Sequence, residues 1–234
     1  MKDELKATLQ AHIHAGWQSN PAMLQIIDGY ARYHAVLAIT GAAFLIIFLG
    51  LAFRSFSAFR KIPGPRGFSW PFEKAVPFLF GLLFTATALL LALVITANVT
   101  NASNPLPGFS GSIPSIAVSQ RTAGLHRAFD DWILSENAET PEVVRQSLHH
   151  RRVFHATRLS IGLLFLFSLA PLSAYLWKSL LIKRSVRTHG WTLPELTQLA
   201  LGLASVPCIY FMILVVMANT QSAIVPLANT LQFG

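Results

Sequence analysis

The sequence predicts an all-α integral membrane protein: four transmembrane helices arranged as a tandem parallel repeat of a two-helix unit, with further helices outside the membrane. Three features of the chain lead there. Four apolar runs are each long enough to cross a bilayer. A short basic loop joins the first run to the second, and another joins the third to the fourth. The second half of the chain lies on the first at a shift of 121 residues, from His155 on His34 to Leu227 on Leu106.

Composition supports the first of these. Apolar residues make up 53% of the chain and charged residues 12%, about half of the roughly 25% charge of a soluble domain. That much uncharged surface must face something other than water. The net charge of +8 would suggest nucleic acid in a soluble protein. Here the Lys and Arg residues cluster in short segments between apolar runs, the positive-inside pattern of membrane proteins, and nucleic acid is excluded as a partner. The one cysteine, Cys208, lies within an apolar run. It permits no intrachain disulfide and no Cys-based metal site, and it is expected to be a small buried apolar residue.

Taken in order, residues 1–19 read as an N-terminal tail. Its His12 and His14 alternate, and two histidines alone make a poor metal site. Residues 20–107 form the first two-helix repeat. It starts at Asn20-Pro21, an N-cap residue followed by proline in the first helical position. Its spans lie near 35–53 and 76–97, because roughly 20 helical residues cross about 30 Å of hydrocarbon. Residues 108–139 form an extracytoplasmic linker with an amphipathic helix over 124–137. Leu125, Phe129, Trp132 and Ile133 share one face of it, with Arg127, Asp130 and Asp131 turned away. This helix is expected to lie on the membrane or cover the bundle. Residues 140–228 form the second repeat, starting at Thr140-Pro141, with spans near 159–181 and 196–218.

Orientation follows from the loops. The first basic loop carries Arg54, Arg60, Lys61, Arg66 and Lys74 against Glu73; the second carries Lys178, Lys183, Arg184 and Arg187 against Glu195. The positive-inside rule weighs short loops, so both face the cytoplasm. Both termini and the 98–158 loop then lie outside, and the expected location is a bacterial inner membrane.

The repeat rests on rare residues. Between residues 34–107 and the same stretch 121 residues later, seventeen of seventy-four positions are identical. Leu and Ala matches come cheaply in such a chain. His34 with His155, Trp70 with Trp191, and Asn98 with Asn219 do not. Two units with two spans each share one orientation, which implies a pseudo-twofold axis along the membrane normal.

These recurring residues are the candidate sites. His34 and His155 stand at the outer ends of the inward-going helices. Facing one another across the axis, two imidazoles could clamp a haem b iron or another metal, or bind a quinone head group. The plainer role is interface packing or a bond to a backbone carbonyl. Asn98 and Asn219 end the returning helices on the same face. Each is read either as a helix C-cap, which asparagine suits because it tolerates the left-handed conformation, or as an amide that fixes the neighbouring imidazole's tautomer. Trp70 and Trp191 fit interfacial anchors on the cytoplasmic side. His149, His150, Arg151 and Arg152, with His155 and Arg158, make a basic approach to the third span that would attract anionic head groups or an acidic partner.

No phosphate-cradling glycine loop and no charged residue in the middle of a span occurs in the sequence, and intramembrane acids and bases are what mark proton relays and ion paths. The sequence therefore favours a non-catalytic membrane subunit or scaffold, packed against lipid and against other subunits or its own copies. A redox or cofactor-binding protein using His34 and His155 is the alternative. A small transporter or channel ranks third.

Overall fold

The computed structural model describes residues 4–63, 70–116, 122–186 and 190–233. Within them the chain is all-helical, with no strand. The helices are α1 (Glu4–Ala15), α2 (Pro21–Lys61), α3 (Phe72–Ser103), α4 (Pro105–Ser112), α5 (Ala123–Leu134), α6 (Glu142–Val186), α7 (Leu193–Ile224) and α8 (Pro226–Phe233), with single 3-10 turns at Trp17–Ser19 and Ile113–Ser115. Four of them, α2, α3, α6 and α7, are long and apolar enough to cross a membrane. Each contains one of the expected spans and outruns it, since α2 has 41 residues and α6 has 45 where about 20 suffice. Of the basic loop residues, Arg66 and Arg187 lie outside the described residues.

The chain divides into two compact units. The first comprises 1–40, 95–159 and 217–234; the second comprises 41–94 and 160–216. The first unit has a core of the kind built in water. Leu5 and Leu9 of α1, Ala22, Met23, Ile26, Ile27 and Tyr30 of α2, and Phe129, Trp132 and Ile133 of α5 are all buried together. Burying a large apolar side chain is worth about 1.5–3 kcal/mol, so this cluster holds the unit. Asn20 starts α2 as its sequence suggests. Its Oδ1 accepts from the backbone N–H of Ala22 and Met23, at 3.0 and 3.1 Å. Its Nδ2 donates to the Ile133 carbonyl at 2.8 Å, so one side chain both caps α2 and ties it to the end of α5.

Two stretches outside the long helices take part in this core. Residues 1–19, read as a tail, contain α1, whose Leu5 and Leu9 sit at helical spacing and face α5. The linker helix is α5, and it buries its apolar face in this core. A protein partner was available for that face, and α1 supplies part of it.

The second unit obeys other rules. Ile46, Phe53, Leu164, Phe167 and Leu214 are largely exposed on its helices. A contiguous surface of that kind is untenable in water and unremarkable against lipid tails. Cys208, expected to be buried, is exposed on α7; a thiol is apolar enough to face hydrocarbon. The helices meet where side chains are small. A Cβ on Gly81 would come within 2.8 Å of the Phe56 ring, and one on Gly202 within 3.2 Å of the Trp177 ring. Polar seams are few: Ser173 with Ser205 at 2.7 Å, and Thr87 with Tyr210 at 2.8 Å.

A histidine is also buried in the first unit. His126 of α5 is 6% exposed, and its Nε2 is buried without a hydrogen-bond partner. Burial, and secondarily the charge of Lys6, push its pKa below the ordinary imidazole value. The sign follows from proton uptake. Above about pH 6.5, the ordinary value, the imidazole is neutral both folded and unfolded. Below it the unfolded chain takes up the proton first, so stability falls until the lower folded pKa is reached. Chemical unfolding between pH 7.5 and 5 should show this decline in the wild type and a shallower one in His126→Gln; parallel curves would mean the group does not contribute.

Candidate functional site

The local environment of each candidate residue begins with helix length. Asn98 and Asn219 do not cap their helices, because α3 runs on to Ser103 and α7 to Ile224. An asparagine inside a helix turns its amide to the side, and both are nearly buried, at 8% and 7% exposure. Each takes the histidine of the preceding long helix as its partner. His34 Nδ1 lies 2.6 Å from Asn98 Oδ1, and His155 Nδ1 lies 2.8 Å from Asn219 Oδ1. The C-cap role is thereby replaced by a bond between helices 64 residues apart in sequence.

The chemistry of that bond fixes the imidazole. An amide oxygen can only accept, so Nδ1 carries the proton and donates, and Nε2 of the neutral ring keeps a free electron pair. His155 Nε2 is buried and has no hydrogen-bond partner among the described residues. The ring is therefore held in the orientation and tautomer that a metal ligand or an acceptor for a hydroxyl would need.

Aromatic rings hold both imidazoles in place. Tyr33 stands edge-on to His34, with centroids 5.5 Å apart, and Phe154 stands edge-on to His155 at 5.2 Å. Tyr30 flanks His34 at 4.4 Å. Both histidine–asparagine pairs belong to the first unit, where Gln221 Nε2 donates to Tyr33 Oη at 3.4 Å and so links the neighbourhoods of the two pairs. Among the described residues, no three His, Cys, Asp or Glu side chains gather where they could hold a metal ion.

The tryptophans lie in the second unit and in aromatic company. Trp70 packs edge-on against Phe59 and Phe78, each at 4.9 Å. Trp191 meets Phe72 at 5.0 Å and carries the Arg184 guanidinium 4.5 Å from its ring centre.

Sequence reasoning passed over several residues that matter here. Tyr30, Tyr33 and Gln221 carry no motif and are recognised only by what they touch. Glu195 did have a signal. Thr192 and Glu195 stand three apart at the start of α7, the spacing of a capping box, and Glu195 Oε2 accepts from the Thr192 N–H at 3.0 Å. A scan of protein-family models, curated proteins and solved structures finds no match to this chain.

The histidine–asparagine bonds should be measurable as coupling. In a double-mutant cycle with His155→Phe and Asn219→Ala, and likewise at His34 and Asn98, unfolding in bicelles should give about 0.6 kcal/mol per pair and no more than about 1.7, the mean and maximum for polar contacts between membrane helices. A coupling of zero at both would deny these bonds any part in holding the helices together.

Proposed function

We infer that the protein is a non-catalytic integral membrane subunit or scaffold, a four-helix bundle made of two copies of one hairpin in the same orientation. The observation that carries this reading is the way its polar side chains are spent, on helix-to-helix bonds that come in corresponding sets. Helices α3 and α7 begin at Phe72 and Leu193 and end at Ser103 and Ile224; α4 and α8 begin at Pro105 and Pro226. Every one of these pairs is 121 residues apart, the shift that aligns the sequence. The contacts correspond as well. His34 with Asn98 matches His155 with Asn219. Gly81 against Phe56 matches Gly202 against Trp177, and the approach of Tyr30 to Gly108 matches the bond of Arg151 to Asn229.

On this reading the compact basic loops face the cytoplasm, both termini and the first unit's core lie outside, and the membrane is the bacterial inner membrane. Trp70 and Trp191 serve as anchors at the cytoplasmic interface. The exposed apolar faces meet lipid and other membrane subunits or further copies of the chain. Native mass spectrometry after mild detergent extraction from the source membrane should find a stoichiometric partner or a defined homo-oligomer. A solitary monomer with enzymatic activity would overturn the proposal.

A second reading is favoured by one observation, the free and buried Nε2 of His155. There the pairs His34–Asn98 and His155–Asn219 are cofactor sites, with imidazole as the ligand of a haem b or metal, or as hydrogen-bond acceptor for a quinol. A visible absorption spectrum with a Soret band that is lost in His155→Phe would establish the haem form. A colourless preparation, free of metal by elemental analysis and of quinone by solvent extraction, would end this reading.

A further inference from the structure

We propose that a pocket between α6 and α8 binds the phosphate head group of an anionic phospholipid. The pocket has a volume of about 620 Å³ and is lined by Val143, Gln146, Ser147, His150, Arg151 and Phe154 of α6 and by Thr230 of α8. The proposal rests on the reading that α6 enters the membrane near Leu159.

The polar side of the pocket is built for an anion. Arg151 is pinned from behind, with its Nη1 donating to Asn229 Oδ1 at 2.6 Å, and Asn229 Nδ2 donating in turn to Ser222 Oγ at 2.9 Å. A guanidinium has five N–H donors in a rigid fork that matches phosphate, and Asn229 occupies one nitrogen. His150 adds a ring N–H donor on the same wall, while Ser147 donates its hydroxyl to the Val143 carbonyl of its own helix at 2.9 Å. No carboxylate lines the pocket. The acid at the start of α6, Glu142, is taken up by Arg145 and Gln146.

The apolar side argues for a lipid rather than a free phosphate. Val143 and Phe154 are about half exposed, a wall that inorganic phosphate would not use and an acyl-bearing ligand would. Ser147, Arg151, Phe154 and Arg158 follow one another on a single face of α6, at helical spacing. Arg158 lies over the Phe154 ring, 3.9 Å from its centre. Seven residues separate the two arginines, about 10 Å along the helix, so the stripe leads from the pocket to the expected membrane surface, where cations attract anionic lipid.

The corresponding face of α2 is closed. A shift of 121 residues puts Ile26 in place of Ser147, Gly29 in place of His150 and Tyr30 in place of Arg151. Ile26 and Tyr30 are buried in the first unit's core, at 1% and 5% exposure, and Gly29 lies against Leu227. Where one helix fills this face with apolar side chains, the other leaves it open and basic.

The test uses the full chain in mild detergent, with phosphatidylglycerol or phosphatidylcholine added and bound lipid read by native mass spectrometry. Wild type should retain phosphatidylglycerol about tenfold better, and Arg151→Gln should remove about tenfold of that retention, the effect of losing a charge-assisted bidentate bond. Arg158→Gln, which leaves the Asn229 bond intact, should lower it in the same direction. Arg152→Gln changes the charge of α6 equally but lies off the pocket lining, and should leave retention unchanged. Equal retention of both lipids, an equal loss in Arg152→Gln, or displacement of the lipid by excess inorganic phosphate would each overturn the proposal. A chain that stays in solution without detergent would instead overturn the membrane reading beneath it, a separate and recognisable failure.

Discussion

Hydrocarbon offers no water to bond a polar group, so a helix that crosses it satisfies its own backbone and joins its neighbours through close packing and the few polar side chains it carries. The second unit follows from that constraint. Thr85 and Ser168 turn their hydroxyls onto carbonyls of their own helix, and Ser173 bonds Ser205 across a seam. Gly81 and Gly202 let the backbone come up against the rings of Phe56 and Trp177. Large apolar side chains are left to point outward, the reverse of a protein built for water.

The first unit is governed by the opposite condition. Its apolar side chains turn inward, and burial of Phe129, Trp132, Ile133, Leu9 and Met23 supplies the driving force. The long helices extend well past what a membrane requires, and their extra turns take part in this second kind of core. Asn20 joins a long helix to a short one. Its amide caps α2 and also binds the end of α5, so the start of one long helix is tied to the packing of a short one.

The paired histidines show how a polar group inside a long helix is held. Each imidazole is held by an asparagine and an edge-on aromatic ring, which orients it with little freedom. In the proposed duplication the two pairs kept this arrangement while their surroundings diverged, Tyr30 in one place and Arg151 in the other. A tyrosine closes its face by burial. An arginine cannot be buried so cheaply, and its face stays open.

Much of this architecture is legible in the sequence because it depends on local quantities. The length of an apolar run, the absence of charge within it, the basic loops and the 121-residue register can all be read without knowing what any residue touches, and so can the start of α2 at Asn20-Pro21. Other features required the tertiary structure, because each depends on a partner far away in the chain. Asn98 and Asn219 look like helix ends until their helices are seen to continue past them. Residues 1–19 look like a tail until Leu5 and Leu9 meet α5. A spacing of 64 residues between a histidine and its asparagine leaves no local trace, and only packing brings the two side chains within bonding distance.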